Sequence, residues 1–203
     1  MLTVDMLRHG ALQGGVKYRG RVEGLLTQEG WAQMERVWQQ VNDVVDLIIT
    51  SPLLRCAEPA QAWAQQKAIP CLMDERIAEM HYGAWEDKSH EEIEIEWPGM
   101  LEKWRANPEG MRPPGGESPE ELHARVVDFW RDITTRYAGK HLLVVAHSGS
   151  TRMLIAHIQG KPIAYTREIE MPYACWSRAS GMAGKSRMLF VNQSPIDREG
   201  DGE

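Results

Sequence analysis

Two histidines follow apolar runs, and the first lies in a tripeptide that could bind and attack a phosphate ester. His9 lies in Arg8-His9-Gly10, after the alternating residues 2–7. A neutral imidazole can attack phosphorus, and a covalent intermediate divides a hard displacement into two easier steps. The Arg8 guanidinium can hold phosphate oxygens through paired N–H donors, and Gly10 permits close approach of the backbone. Taken alone, the tripeptide carries little specificity, and a surface Arg-His pair at a strand end is the more common interpretation.

The second histidine, His147, follows the most apolar run of the sequence, residues 141–146. In a phosphate pocket, this imidazole would donate to the oxygens and stabilise the transferring group. The alternative interpretation is a hydrogen-bonded structural histidine. Ser148 and Gly149 come next, and their small side chains allow a tight backbone there.

Arginines provide the positive charge that an anion site needs. Arg55 follows a predicted strand and lies near a predicted helix start, where backbone amides would add to its attraction for phosphate. Arg19 and Arg21 flank Gly20, and either could contact the same anion or be solvated. Because the chain has a formal charge of −6, it must gather positive charge locally to bind an anion.

A carboxyl group near the middle of the chain could serve as the proton donor. Glu79 would protonate a leaving alkoxide and then help activate water, if enclosure raised its pKa. A surface glutamate before a turn is the alternative, and Glu75 and Glu86 compete for the role. The functions of Arg21 and His81 stay open. The other histidines are interpreted as structural: His90, His123, His141 and His157.

Strands and helices are predicted to alternate along the chain. Apolar patterns predict strands at 2–7, 46–50, 141–146, 173–178 and 187–192. Helices are predicted after the Thr27 cap, over 54–67, after the capping box at 118–121 and after His147. Pro59 would break the interior of the helix over 54–67 and is tolerated only if it falls within the first turn, so the boundary of that helix is left open. Alternation of this kind favours an α/β layered fold with a largely parallel sheet, whose ligands bind beyond the carboxyl ends of the strands.

Length and composition favour one domain. The 203 residues are 42% hydrophobic and 26% charged, which is ordinary for a globular protein. We expect a single domain over 1–193, a helical and loop insert at 86–117 over the active site, and a polar tail at 194–203. The acidic charge argues against nucleic-acid binding, and no apolar run is long enough for a membrane span. Three scattered cysteines favour a reduced, cytoplasmic protein and neither a disulfide framework nor a zinc site.

Several ordered segments together resemble the histidine phosphatase superfamily, the group that includes cofactor-dependent phosphoglycerate mutase. The similarity covers roughly residues 4 to 160 and follows the order of the family's motifs. Three positions depart from the usual pattern, because Ala11-Leu12 follow Gly10 and Ser148 replaces a glycine. The matching segments are Arg8-His9-Gly10, Tyr18-Arg19-Gly20, residues 25–33, residues 51–56, residues 79–86, residues 113–118 and residues 144–149.

This resemblance implies a role for each candidate residue. His9 would be the phosphohistidine nucleophile, and Glu79 would be the proton donor. The catalytic phosphate pocket would be formed by Arg8, Arg55 and His147, and Arg19 and Ser148 would be further substrate contacts. The resemblance also implies a three-layer α/β/α sandwich of the phosphoglycerate mutase type, with a mainly parallel sheet. It implies neither a metal nor another cofactor.

Within the family, the loop at 14–20 and residues 30–34 look most similar to α-ribazole phosphatases of cobalamin biosynthesis. The expected substrate is therefore a small-molecule phosphate ester, with α-ribazole 5′-phosphate as the first candidate. A broad-specificity sugar or glycerate phosphatase, a mutase-like enzyme and a non-catalytic phosphate-binding protein are the alternatives. A metal-dependent hydrolase is disfavoured because clustered His and carboxylate ligands are not evident. A homodimer is left open.

Overall fold

A six-stranded sheet forms the centre of the computed structural model, which describes residues 1–182 and 184–193. The sheet order is β3-β2-β4-β1-β5-β6. The strands are β1 (Leu2–Arg8), β2 (Leu47–Thr50), β3 (Cys71–Met73), β4 (His141–Ala146), β5 (Trp176–Met182) and β6 (Lys185–Gln193).

Strand direction places the carboxyl ends of β1 and β4 side by side. β1 pairs in parallel with β4, which pairs in parallel with β2, and β2 pairs in parallel with β3. β5 runs antiparallel to β1, and β6 runs antiparallel to β5. The prediction of a mainly parallel sheet is therefore confirmed, with β5 as the reversed strand.

Helices cover both faces of the sheet. Along β1, Leu2, Val4 and Met6 pack on one face, while Leu7 packs on the other. This alternation follows from the period of two in a strand. The first face is covered by α5 (Pro119–Arg136) and α6 (Ser148–Ile158), and the second by α1 (Gln28–Val41) and α2 (Leu54–Lys67). The three-layer α/β/α sandwich is confirmed.

The predicted helix starts also occur where expected. The Thr27 side chain caps α1 by accepting from Gly30 N–H, and Ser118 and Glu121 form the capping box of α5. Because α2 begins at Leu54 as predicted, Pro59 lies beyond its first turn. Pro59 therefore lies in the helix interior, and α2 continues past it to Lys67. Pro59 has no N–H to donate to the Arg55 carbonyl, so the helical ladder lacks that bond.

Two strand predictions need correction and one strand was missed. The strand predicted at 173–178 begins only at Trp176 and runs to Met182, because Ala174 has a positive φ of 51° that interrupts the extended chain. The last strand extends beyond 187–192 at both ends, to Lys185 and Gln193. The short edge strand β3 was not predicted, since Cys71–Met73 offers too few residues for a pattern.

Residues between β3 and α5 form turns and two short helices, α3 (His90–Glu96) and α4 (Met100–Ala106). Trp85, Ile93 and Leu101 are buried together in a small core of their own. None of the helices in residues 1–182 and 184–193 is long and apolar enough to cross a membrane. The tail predicted at 194–203 lies outside the described residues.

Two glycines hold the loop after β1 against the start of α1. A Cβ added at Gly10 would lie 2.1 Å from the Gly30 carbonyl oxygen, and one at Gly30 would lie 2.2 Å from the Ala11 oxygen. Both backbones would have to separate to admit a methyl group. The contact fixes the segment that carries His9.

Gly10→Ala should lower the free energy of unfolding by about 1–3 kcal/mol, the usual cost of overpacking. Urea denaturation followed by tryptophan fluorescence would measure it. Gly24→Ala is the matched control, because a Cβ there meets nothing nearer than the end of the Leu12 side chain at 3.4 Å. Equal stability of the two variants would contradict the tight contact.

Candidate active site

The carboxyl ends of β1 and β4 bring the two predicted histidines together. Arg8 is paired with Ala146 across the ladder, and the His9 N–H donates to the Ala146 carbonyl at 3.0 Å. The imidazole rings of His9 and His147 lie 5.3 Å apart between centroids, with 60° between their planes. The coincidence of strand ends predicted from the sequence therefore places both rings in one site.

His9 has the geometry of a neutral nucleophile. Its side chain is buried, and Nδ1 lies 2.9 Å from the carbonyl oxygen of Gly10. Since a carbonyl oxygen can only accept, Nδ1 carries the proton and Nε2 keeps a free lone pair. Burial, reinforced by the positive charges of Arg8 and Arg55, lowers the pKa of His9 well below its usual 6.5. The ring is thus uncharged at neutral pH, as attack on phosphorus requires.

His147 is fully buried and engaged at both ring nitrogens. Arg55 Nε donates to Nδ1 at 3.2 Å, so the proton of His147 lies on Nε2 and is donated to Ser51 Oγ at 2.7 Å. Burial, followed by the charge of Arg55 and the neighbouring His9, lowers its pKa well below the usual 6.5. The Cys56 thiol lies 3.6 Å from Nε2 and packs against the ring.

These two buried histidines predict a pH dependence of stability. In the unfolded chain both histidines take up protons near pH 6.5, whereas in the folded protein they stay uncharged to a lower pH. Acid therefore favours the unfolded chain, and the free energy of unfolding should fall as the pH drops below 6.5. The upper limit is about 1.4 kcal/mol per pH unit for each histidine. Urea denaturation between pH 5.5 and 7.5 would measure the slope. His9→Asn and His147→Asn should each make the slope shallower, and unchanged slopes would contradict the prediction.

Arg55 and Arg8 lie beside the two rings. Arg55 is 1% exposed, and its guanidinium donates to the Gly20 carbonyl at 2.6 Å and to the Val22 carbonyl at 2.9 Å. Arg8 donates to the Met171 carbonyl, while its buried Nε has no hydrogen-bond partner in the described part of the chain. The site therefore contains a guanidinium N–H available to an incoming anion.

Glu79 faces the same site from the loop after β3. Its carboxylate accepts from the Gly149 N–H at 3.0 and 3.1 Å, and from its own neighbour Met80 at 2.9 Å. A Cβ at Gly149 would lie 2.4 Å from Glu79 Oε1, so an alanine there would displace the carboxylate. The competing carboxylates are used elsewhere: Glu75 is exposed and pairs with Arg21, and Glu86 accepts from the Arg21 and Tyr82 amides.

The other predicted contacts are placed as follows. Arg19 lines the pocket, but its guanidinium is held by Asp87 and by the Gln13 carbonyl. Ser148 also lines the pocket, and its hydroxyl accepts from Arg152 at 2.6 Å. Arg21 pairs with Glu75, outside the residues that line the pocket. His81 is about half exposed and lies 3.7 Å from Glu86.

A pocket of about 640 Å³ opens over these groups. It reaches from Arg8, His9, Arg55 and Glu79 to side chains that were not predicted. His90 was interpreted as structural, yet it lines this pocket. Arg152 could have been found from its place one helical turn after Ser148, whereas the others carry no local signal. The unpredicted lining residues include Leu12, Tyr18, Met80, Tyr82, Trp104, Arg105, Arg152, Arg167 and Tyr173.

Within residues 1–182 and 184–193, no group of three His, Cys, Asp or Glu side chains is arranged to hold a metal ion. What the pocket does contain is a lone pair on imidazole, several guanidinium groups and one buried carboxylate. These groups suit transfer of a phosphoryl group to histidine, with charge stabilisation by donors that are already in place.

The fold and the site are those expected of an enzyme that transfers phosphoryl groups. A family model described as the histidine phosphatase superfamily (branch 1) matches residues 4–194. The chain belongs to this superfamily and is one of its phosphatases.

Known proteins with different substrates are similar to this chain. The adenosylcobalamin/alpha-ribazole phosphatase of Escherichia coli K12 is 26% identical over 85% of this chain and 86% of its own. Phosphoserine phosphatase 1 of Hydrogenobacter thermophilus is 25% identical over 79% of this chain and 77% of its own.

Solved structures agree on the fold. The alpha-ribazole phosphatase from Shigella flexneri has a TM-score of 0.85 and 25% identity, covering 96% of this chain and 98% of its own. The mycobacterial glucosyl-3-phosphoglycerate phosphatase in complex with VO3 has a TM-score of 0.84 and 26% identity, covering 95% and 99%. Relatives at such similar distances are all named as phosphatases, but for different phosphate esters.

Proposed function

We propose that this phosphatase hydrolyses a small phosphomonoester in two steps through a phosphohistidine on His9. The observation that carries the proposal is the tautomer of His9, whose Nδ1–H is held by the Gly10 carbonyl while Nε2 is left free. Nε2 would attack phosphorus in line, forming an N–P bond as the ester P–O bond breaks. Arg8 and Arg55 would hold the phosphoryl oxygens.

Glu79 and His147 complete the proposed cycle. Glu79 would give its proton to the departing oxygen, releasing an alcohol, and the resulting carboxylate would then take a proton from the water that cleaves the N–P bond. His147 Nε2–H donates to Ser51 Oγ in this structure. It would donate to a phosphoryl oxygen instead once that oxygen is present. Positioning and charge stabilisation would supply most of the rate.

α-Ribazole 5′-phosphate is our first candidate substrate. Two similar proteins carry alpha-ribazole phosphatase in their names. The pocket wall beyond the phosphate site includes Tyr18, Tyr82 and Trp104, with Tyr18 and Tyr82 at 4.9 Å between ring centroids. Aromatic side chains and apolar neighbours suit a flat heteroaromatic base.

A glycerate or sugar phosphate is the second candidate, and the charge of the pocket rim favours it. Arg105, Arg152 and Arg167 line the pocket, and none of them pairs with a carboxylate in the part of the chain that the structure describes. Guanidinium groups without acidic partners would attract a leaving group that carries its own negative charge. The phosphatases named for phosphoserine and glucosyl-3-phosphoglycerate are compatible with this choice.

A substrate panel in the presence of a chelator would separate these candidates. We expect hydrolysis of α-ribazole 5′-phosphate with kcat/KM at least about tenfold above that of 3-phosphoglycerate, phosphoserine and sugar phosphates, a difference of about 1.4 kcal/mol. A preference for the acidic esters would select the second candidate. Phosphate binding without hydrolysis of any ester, and without radiolabelled phosphate trapped on the protein, would overturn the proposal. Loss of activity in chelator would indicate a metal-dependent hydrolase instead.

A further inference from the structure

The loop before β5 forms backbone hydrogen bonds with both Arg8 and His9. The Arg8 N–H donates to the Cys175 carbonyl at 3.1 Å, and the Ala174 N–H donates to the His9 carbonyl at 3.1 Å. The Arg8 side chain donates to the Met171 carbonyl of the same loop. The backbone of this loop therefore fixes where Arg8 and His9 lie.

One side chain of the loop enters the pocket. The Tyr173 ring lies under the Arg8 guanidinium, with Cζ 4.2 Å from the ring centroid, and 5.8 Å from the His9 ring. His147 lies 5.3 Å from His9. Tyr173 lines the pocket and is partly buried.

The Arg8 guanidinium needs such support because its other restraints are few. Its one hydrogen bond in the described part of the chain goes to the Met171 carbonyl, and Nε is buried without a partner. A cation over an aromatic face is attracted by the electron density of the ring, and the ring also limits the directions in which the guanidinium can turn. The contact leaves the N–H edge of Arg8 free for an anion.

We propose that Tyr173 is a positioning residue, whose ring holds the Arg8 guanidinium and the His9 imidazole in the orientation that binds the phosphoryl group. The ring is the active part and the hydroxyl is dispensable. This proposal rests on the proposed function only in naming the anion as the phosphoryl group. It predicts an effect on phosphate affinity that is separate from turnover.

Tyr173→Leu should weaken binding of inorganic phosphate about tenfold, the size expected for a desolvated cation–π contact. Isothermal titration calorimetry with phosphate would measure this without any substrate. The KM for p-nitrophenyl phosphate should rise by a similar factor, with a smaller change in kcat. Tyr173→Phe keeps the ring and should restore both values to within about twofold.

The Lys161–Tyr165 pair provides a matched control. Lys161 Nζ lies 5.5 Å from the Tyr165 ring centroid, and neither residue lines the pocket. Tyr165→Leu should leave phosphate affinity unchanged. The same loss in Tyr165→Leu as in Tyr173→Leu would overturn the proposal, because it would indicate general loosening of the fold.

Two other outcomes would also reject the positioning role. Unchanged phosphate affinity in Tyr173→Leu would show that Arg8 needs no ring. An equal loss in Tyr173→Phe would assign the effect to the hydroxyl. If phosphate binding depended on Tyr173 but the protein hydrolysed no ester, the proposed function would be wrong and the positioning role of Tyr173 would still hold.

Discussion

His9→Ala should lower the turnover of any phosphomonoester by at least about 10⁴-fold, because the variant has no atom on which to form the phosphoenzyme. The Nε2 atom of His9 carries a free lone pair, because Nδ1 donates its proton to the Gly10 carbonyl. Steady-state hydrolysis of p-nitrophenyl phosphate gives the rate. Radiolabelled phosphate retained after acid-free quenching reports the intermediate directly, and it should vanish in the variant.

A histidine outside the pocket provides the control. His123 lies in α5 beside His157, with 5.7 Å between ring centroids, and neither side chain lines the pocket. His123→Ala should keep both the rate and the label. Hydrolysis by His9→Ala at the rate of the unmodified protein would refute the nucleophile assignment.

Glu79→Gln should slow hydrolysis of alkyl phosphates by about 10²–10⁴-fold, the usual contribution of a positioned proton donor. The amide keeps the size of the side chain but cannot supply a carboxyl proton. For p-nitrophenyl phosphate, whose leaving group departs as a stable anion, the first step should be far less affected. Single-turnover measurements with both esters isolate that step from cleavage of the phosphohistidine.

The competing carboxylate offers a direct comparison. Glu75 is exposed and bound to Arg21, so Glu75→Gln should leave both esters unaffected. If the loss in Glu79→Gln were equal for the alkyl and nitrophenyl esters, Glu79 would be acting through structure and the proton-donor role would be wrong.

The sequence was sufficient to place His9 and His147 at one end of the sheet because its local patterns were strong. A short alternating strand before Arg8-His9-Gly10 and an apolar run before His147 predicted two strand ends, and the parallel pairing of β1 with β4 places them together. The caps at Thr27 and Ser118 were equally readable, because each is determined by hydrogen bonds between residues three apart in the sequence.

What the sequence did not predict depends on contacts between distant segments. Tyr173 contacts Arg8 because the loop that carries it leads into β5, which runs antiparallel beside β1. A loop has no periodicity from which such a contact could be predicted. His90 was interpreted as structural because it lies in a polar helix, yet its side chain lines the pocket. The contact between Gly10 and Gly30 likewise requires knowing that α1 begins against the first loop.

The pairing of β1 with β4 also has a consequence during protein synthesis. His9 leaves the ribosome before its partner strand β4, which ends at Ala146, and before Met171, whose carbonyl binds the Arg8 side chain. A nascent chain that stops before these segments therefore has the His9 imidazole without the surroundings that keep it uncharged and oriented. We expect catalysis to begin only when the central strands have joined, so an incompletely translated chain should not hydrolyse phosphate esters.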